Sequence, residues 1–307
     1  MQNKPSLVIN QLAITYSKYN PLGTTPMCSS LITSGMFDVS FHNEPLPKRH
    51  KGERATVMYF NGSKIYVDFW DYPSPTFTDE TFSEEYSLII KLQAPEMSYK
   101  QFENRCQKKN ILTNITNERK YSVFSKITPW TFFHSRMLNP YIFFERKVPE
   151  METERLGFFC GKCWRRRKQM YDKLKSSGIE VIESNNKYKS STSLNLTEYM
   201  HRMFTSKYGI VLPGRGSHFT EAKNRREIDY MALKKPLLLN YKPNYSDPLI
   251  EGEHYIYIDE KTDFKSIEDK YNVNEIKENA YEWYLRNASP IGVAKSFMKI
   301  MEKKGLK

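Results

Sequence analysis

The residues best placed to bind a ligand lie around a short turn that follows the apolar run Tyr208–Leu212. Gly214 and Gly216 come directly after that run, and glycines at the end of a strand let the backbone approach a ligand closely. Arg215 and Ser217 belong to the same turn and are candidate binding residues beside the two glycines. A Gly-x-Gly pair is common, so an ordinary tight turn explains these glycines equally well.

A predicted helix begins near Arg225 and carries Arg226 and Glu227 in its first turn. Helix N-termini attract phosphate, and an arginine can grip phosphate through two hydrogen bonds. A glutamate at this point can accept hydrogen bonds from a pair of ribose hydroxyls. A solvated first turn explains Glu227, but two arginines there oppose the helix dipole, so we favour a ligand-binding helix start.

A second basic cluster follows the predicted strand Leu156–Cys160 and opens another helix. Its members are Lys162, Arg165, Arg166, Arg167 and Lys168. Consecutive residues on a helix point in different directions, so at most two of these cations can face one ligand. We select Lys162, Arg165 and Arg166 as candidate phosphate-binding residues, with a solvated face or a nucleic-acid patch as the alternatives.

Two carboxylates, Asp68 and Asp71, flank a pair of aromatic residues just after a predicted hairpin strand. A carboxylate beside aromatic rings suits a general base acting on a sugar hydroxyl, with the rings as a surface on which the sugar stacks. A turn-forming aspartate before Pro73 is the alternative for at least one of them. His42 ends a neighbouring predicted strand and is a third candidate base.

Metal and redox chemistry are not predicted. Cys160 and Cys163 form a CxxC pair, but a structural zinc site needs a second pair of ligands at matching spacing, and the sequence offers none. The basic residues around the pair suit phosphate as well as they suit a redox thiol. We therefore expect no metal site and no cofactor.

Composition narrows the class of protein. The chain has 307 residues, a net charge of +12 and a pI near 9.3, and such a surface prefers polyanions or phosphorylated ligands. No apolar run approaches the roughly 18 residues of a membrane helix, and the N-terminus lacks the apolar stretch of a secretory signal. Four cysteines do not form a disulfide framework, so we expect a cytoplasmic protein with no membrane span.

The elements that must position these residues differ between the two halves. The first half indicates short strands separated by turns, including a hairpin around Asn61-Gly62. The second half alternates strands and helices, which is typical of a parallel sheet with helices on both faces. A polar linker at Pro149–Glu154 predicts the boundary, which gives an α/β protein with domains 1–150 and 151–307.

Residues Leu156–Lys303 resemble the donor-binding half of GT-B glycosyltransferases, in particular the exostosin-like and protein O-glucosyltransferase families. The resemblance rests on the turn FFCGK with its following arginines, then YGIVLPGRG, then RREIDYMALKKPLLLNY, and on EWYLRNASP between two closing helices. This chain has Lys234-Lys235 before Pro236, where exostosin-like sequences usually have Gly-Cys.

The resemblance implies a GT-B-like fold, in which two Rossmann-like domains face each other across a cleft. Domain 1–150 would bind the acceptor, a glycan or glycoprotein, and domain 151–307 the donor, a UDP-sugar such as UDP-xylose or UDP-glucose. Transfer to a glycan hydroxyl would need no metal and would invert the anomeric centre. Lys162, Arg165, Arg166 and Arg226 would neutralise the diphosphate leaving group, Gly214 and Gly216 would admit the donor, and Glu227 would hold the ribose.

Two other function classes fit the same sequence. A nucleic-acid-binding or RNA-processing protein would use the positive charge and the aromatic residues as stacking surfaces, but would spread its cations along a face. Here the clearest clusters fall at turns between strands and helices, so we expect no nucleic-acid partner. A scaffold that binds a nucleotide-sugar without turning it over is the third alternative.

The candidate base gives the first testable prediction. Replacing Asp71 with Asn removes a general base and should lower turnover by about 10²–10⁴-fold while UDP still binds. Steady-state kinetics and UDP titration measure the two effects separately. The same loss at Asp68 with none at Asp71 would move the role to Asp68. Full activity in both variants would favour His42, or a retaining mechanism that needs no such base.

Overall fold

The computed structural model of the chain has two compact units. The structure describes residues 4–10, 24–43, 55–68, 85–92, 98–108, 116–130, 142, 144–161, 163, 167–183, 194–213, 225–243 and 247–306. Unit 1 comprises Met1–His134 with Ala288–Lys307, and unit 2 comprises Ser135–Asn287.

Strands and helices are numbered in chain order over the described residues. The strands are β1 Ser6–Asn10, β2 Asp38–His42, β3 Ala55–Phe60, β4 Ser63–Asp68, β5 Leu88–Leu92, β6 Ile127–Trp130, β7 Arg155–Gly161, β8 Glu180–Glu183, β9 Ser206–Val211, β10 Leu237–Leu239 and β11 Ile256–Tyr257. The helices are α1 Thr24–Thr33, α2 Tyr99–Lys108, α3 Asn117–Lys126, α4 Lys168–Ser176, α5 Leu196–Phe204, α6 Arg225–Ala232, α7 Ile267–Lys270, α8 Val273–Asn287 and α9 Pro290–Lys303. A 3₁₀ turn at Phe264–Ser266 precedes α7.

Unit 1 contains a mixed sheet with the strand order β2-β1-β3-β4-β5-β6. Strand β3 is antiparallel to both of its neighbours, and the other adjacent pairs are parallel. The predicted hairpin joins β3 to β4, and Asn61 and Gly62 both have positive φ angles, 45° and 83°. Two consecutive positive φ angles are what a tight two-residue hairpin turn requires, so this local prediction is confirmed.

The last helix, α9, belongs to the core of unit 1. The ring of Phe297 lies 5.9 Å from Phe37, 5.8 Å from Phe60 and 5.8 Å from Trp130, measured between ring centroids. The indole Nε1 of Trp130 also donates a hydrogen bond to Ser296 Oγ at 2.9 Å. Burial of this aromatic face ties residues 290–303 to a sheet that is far away in the sequence.

The observed division differs from the predicted domains 1–150 and 151–307 at both ends of unit 2. At one end, the hydroxyl of Tyr281 donates to the carbonyl of Ile142, and both residues are buried. This contact places residues before the predicted linker within unit 2. At the other end, the packing of Phe297 returns the final twenty residues to unit 1.

Unit 2 contains a parallel sheet with the strand order β11-β10-β9-β7-β8. Helix α4 connects β7 to β8, α5 connects β8 to β9, and α6 connects β9 to β10. The two sheets and their connecting helices confirm the predicted α/β class. In the part of the chain that the structure describes, no helix combines the length and apolar character needed to cross a bilayer.

Close packing between β9 and α6 depends on a glycine. Tyr230 on α6 is buried, and its hydroxyl donates to the carbonyl of Phe158 at 3.0 Å. A Cβ atom at position 209 would lie 2.4 Å from Tyr230 Cγ and 2.7 Å from its Cβ, which is far inside van der Waals contact. Gly209 therefore sets the distance at which α6 packs on the sheet.

This packing gives a second prediction. Gly209→Ala should lower the free energy of unfolding by about 1–3 kcal/mol, because the new methyl group overlaps the root of the Tyr230 side chain, which cannot move independently of α6. Gly157→Ala is the matched control, since its Cβ would meet Ile210 Cδ1, the end of a flexible side chain, at 2.6 Å. Urea denaturation measures both variants. Equal losses at the two positions would contradict this account of α6.

Candidate functional site

The topology of unit 2 places a crevice between β7 and β9. The chain leaves β7 toward β8 on one side, and β9 leads to β10 on the other, so the strand order reverses between these two neighbours. In open parallel sheets, ligands bind outside the carboxyl ends of the strands at this reversal point. Gly161 ends β7, and Leu212 and Pro213 follow the end of β9. The residues around these two strand ends form the candidate site.

Two guanidinium groups contact one phenyl ring at this edge. The Cζ atom of Arg226 lies 5.1 Å from the centroid of the Phe159 ring, and that of Arg167 lies 5.7 Å from it. A Cβ at position 161 would come within 3.0 Å of the Phe159 ring and 3.3 Å of Arg226 Nη1. Gly161 therefore leaves the space in which a cation and an aromatic ring can pack together.

Arg167 is fixed at the end of β9. Its Nη2 atom donates to the carbonyl of Leu212 at 3.2 Å and also to the carbonyl of Pro213. Burial lowers the pKa of the Arg167 guanidinium, the nearby Arg226 lowers it further, and Tyr171 acts in the opposite direction. The site thus holds two like charges close together in a partly dehydrated environment, and this favours an anion.

Tyr171 fixes the end of β7. Its hydroxyl donates to the carbonyl of Gly161 at 2.5 Å, and its ring meets Phe159 edge-on at a centroid distance of 5.4 Å. Burial is the main reason why the pKa of Tyr171 is raised, so the phenol stays protonated and continues to donate. Arg167 at the N-cap of α4 therefore binds the end of β9, and Tyr171 in the same helix binds the end of β7.

Helix α6 supplies Arg226 and Glu227, as the sequence predicts, but their exposure differs. Arg226 is half-buried, whereas Glu227 is fully buried. Burial, Glu251 and then Glu227 raise the pKa of Tyr255 to about 12, which places the Glu227 carboxylate near that phenol rather than in open solvent. Ribose binding by Glu227 stays a prediction, and it requires the carboxylate to become accessible.

Several predicted site residues lie outside the described part of the chain. They are Asp71, Lys162, Arg165, Arg166, Gly214, Arg215, Gly216 and Ser217. Their predicted roles remain predictions.

The remaining candidate bases end two strands of the sheet in unit 1. His42 ends β2 and Asp68 ends β4, and both strand ends lie at the carboxyl edge. Strands β1 and β3 separate them, which corresponds to about 14 Å at the usual spacing between strands. The His42 ring packs edge-on against Tyr59 at a centroid distance of 5.2 Å. The structure therefore does not bring these two residues together on one hydroxyl.

Sequence reasoning grouped Arg167 with its neighbours but did not select it. The signal that distinguishes it is Tyr171 four residues later, because residues four apart share one face of a helix.

Lys91 was missed entirely: it lies near the carboxyl end of β5 and is only 2% exposed, which is unusual for a lysine. Neither its charge nor its place in an apolar run distinguishes it in the sequence.

No metal centre is seen among the described residues. The four cysteines are free thiols, and burial raises the pKa of Cys160, which is opposed by Arg226 and Arg202. Within the described ranges, no group of three or more His, Cys, Asp or Glu side chains is arranged to hold an ion.

Comparison with known proteins gives weak similarity only. No protein-family model matches the chain, and no curated protein matches it. The structure is similar to that of TarM, with a TM-score of 0.37 and 10% identity over 69% of this chain and 50% of TarM. It is also similar to HepE from Anabaena in complex with UDP, with a TM-score of 0.35 and 9% identity over 73% of this chain and 74% of HepE. The match to TarM thus spans half of that protein's length.

The two arginines of the site give a third prediction. Arg167→Ala should lower the free energy of unfolding by about 1–3 kcal/mol, because it leaves the carbonyls of Leu212 and Pro213 without their donor. Arg226→Ala should lower it by less than about 1 kcal/mol, since the side chain of Arg226 is half-exposed and its truncation leaves the backbone at the end of β9 hydrogen-bonded to Arg167. Urea denaturation compares the variants. A larger loss for Arg226→Ala would reverse the structural roles given to the two residues.

Proposed function

We propose that the protein is a glycosyltransferase that transfers a sugar from a UDP-sugar to a hydroxyl of a glycan or glycoprotein. Unit 2 binds the nucleotide-sugar and unit 1 binds the acceptor. The observation that supports the proposal is the pair of arginines on the Phe159 ring, at the point where the strand order of a parallel sheet reverses.

A diphosphate is the anion that fits this site best. Guanidinium groups form paired hydrogen bonds to phosphate oxygens, and Arg226 lies in the first turn of α6, where backbone amides also favour an anion. Arg167 and Arg226 carry like charges against one ring and repel each other, and an anion beside both of them relieves that repulsion. Lys162, Arg165, Arg166, Arg215 and the backbone at Gly214, Gly216 and Ser217 complete this donor site in the proposal.

The same charges assist the reaction. The acceptor oxygen attacks the anomeric carbon, the bond from that carbon to the diphosphate oxygen breaks, and negative charge grows on the departing UDP. Fixed positive charge at the leaving group stabilises that transition state without a metal ion. The acceptor proton passes to a carboxylate of unit 1, Asp71 or Asp68, with His42 as the third candidate, and the anomeric centre is inverted.

Glu227 holds the ribose in this proposal, after the buried carboxylate becomes accessible to the nucleotide. Tyr255, whose pKa is raised in part by that carboxylate, immediately precedes β11. The donor sugar is a hexose or a pentose, as in UDP-glucose or UDP-xylose. Assignment to exostosin-like or protein O-glucosyltransferase-like enzymes belongs to the same proposal.

Donor binding gives the fourth prediction. Saturating UDP should raise the melting temperature by about 5 °C, because a ligand that binds only the native state stabilises it. Excess EDTA should leave the shift unchanged. Arg226→Ala should abolish it, whereas the control Arg146→Ala, which removes an exposed arginine paired with Glu282 elsewhere in unit 2, should retain it.

Three outcomes would contradict the proposal. No shift with any nucleoside diphosphate, together with a shift from an RNA oligonucleotide, would favour a nucleic-acid-binding protein. A shift that EDTA removes and manganese restores would indicate metal-dependent donor binding. A normal shift without release of UDP from UDP-glucose or UDP-xylose, in the presence of candidate acceptor glycans, would favour a binding protein without turnover.

A further inference from the structure

The last twenty residues carry a large share of the positive charge. They contain five lysines and one glutamate, a net charge of +4 out of the +12 of the whole chain. Lys295, Lys299 and Lys303 follow one another at intervals of four on α9, so they form a row along one face of the helix. The row is about 12 Å long at the helical rise of 1.5 Å per residue.

This row is fully on the surface. All three lysines are exposed, while the opposite face of α9 is buried in the core of unit 1 through Val293, Phe297 and other apolar residues. Helix α9 is therefore amphipathic: its apolar face packs in the core of unit 1, and its basic face is exposed to solvent.

Within the described ranges, the three lysines of this row lack the ion pairs that many other lysines of the chain form. Lys147, Lys168, Lys207, Lys234 and Lys242 each form an ion pair with a nearby carboxylate. Within the part of the chain that the structure describes, no carboxylate lies within ion-pair distance of Lys295, Lys299 or Lys303. Among the described residues, the charge of these three lysines is therefore not paired with a carboxylate.

The end of α9 contacts helix α3 through a fourth lysine. The Nζ atom of Lys304 donates to the carbonyl of Ser125 at 3.2 Å, which joins the end of α9 to the end of α3. Burial and the charge of Lys303 lower the pKa of Lys304, as expected where ammonium groups crowd together. Tyr121 lies one turn before Ser125 on α3 and is 58% exposed, so an exposed aromatic ring lies one helical turn from the residue that Lys304 contacts.

We propose that this lysine surface, formed by Lys295, Lys299, Lys303 and Lys304 with Tyr121 at its border, docks unit 1 onto an anionic lipid bilayer. The charge is complementary to acidic headgroups, and flexible lysine side chains on a helix face suit a laterally extended anionic surface. The half-buried Ile291 lies one turn before Lys295 on α9, and with the exposed ring of Tyr121 it offers apolar groups to the headgroup region.

A bilayer fits this surface better than a nucleic acid does. Recognition of phosphate in nucleic acids favours the forked guanidinium of arginine, whereas the row on α9 consists of lysines only. The adjacent apolar side chains have a partner in a headgroup layer and none on a phosphate backbone. The proposal concerns only unit 1 and does not depend on the donor site.

Vesicle binding tests the proposal. The full chain should co-sediment with vesicles of phosphatidylcholine and phosphatidylglycerol but not with phosphatidylcholine alone, and binding should weaken as salt is raised. The triple variant Lys295→Gln, Lys299→Gln, Lys303→Gln should bind the anionic vesicles roughly 100-fold more weakly, since each lysine near an anionic surface contributes about fivefold.

The matched control is the triple variant Lys175→Gln, Lys261→Gln, Lys265→Gln. It makes the same change in net charge at exposed lysines of unit 2 and should bind within about twofold of the original protein. A third variant with arginine at 295, 299 and 303 should retain binding, which separates loss of charge from damage to α9. Thermal melting confirms that each variant is folded.

Each contrary result overturns the proposal. Equal losses in the two glutamine variants would mean that net charge alone drives binding. No binding to anionic vesicles, or equal binding to neutral ones, would exclude an anionic bilayer as the partner. Binding of an RNA duplex through the same lysines, without vesicle binding, would assign the surface to nucleic acid instead.

Discussion

Two like charges held against one phenyl ring are the interaction on which the architecture of the candidate site depends. The ring of Phe159 contacts Arg226 of α6, and Gly161 leaves the space for that contact. The same ring contacts Arg167, which is the residue that precedes α4. A ring face attracts each cation, but the two cations repel each other. In the proposed donor site, an anion at the same edge would offset that repulsion, so ligand binding would stabilise the packing of the strand ends.

Two side chains form hydrogen bonds to the ends of β7 and β9. Tyr171 binds the last carbonyl of β7, and Arg167 binds the carbonyls that follow β9. Both side chains come from the start of one helix, four residues apart, so a single element sets the positions of two strand ends. In the proposed transfer, a rigid edge of this kind would keep fixed charges in place while charge develops on the leaving group, which is the condition for electrostatic catalysis.

Local signals predicted the parts of the fold that depend on neighbouring residues. Asn61-Gly62 predicted a hairpin because two positive φ angles are needed there, and alternating strands and helices predicted the parallel sheet of unit 2. The division into units was harder, because the apolar face of α9 predicts burial but not which sheet covers it. Phe297 packs on rings more than 160 residues away, at Phe37, Phe60 and Trp130, and no linker composition reveals such a contact.

The candidate site shows the same limit. Arg226 and Glu227 were placed correctly at the start of a helix, because that position follows from local pattern alone. The burial of Glu227 was not foreseen, because it depends on tertiary packing and not on the local pattern of the helix. In the basic cluster, helical geometry predicted that few of the cations share a direction, but only tertiary packing shows that Arg167 turns inward onto Phe159.

The distribution of the two kinds of cation has a physical logic. Arginine keeps its charge when it is partly dehydrated. The face of its guanidinium can pack on an aromatic ring while its N–H groups donate to carbonyls, as Arg167 does with Phe159 and the carbonyl of Leu212. Lysine is a compact, strongly hydrated charge and loses more on burial, so a row of lysines on the exposed face of α9 suits a surface contact that keeps its water. The excess positive charge of the chain is thus divided between a partly dehydrated edge, where geometry is selective, and an open face, where attraction is broad.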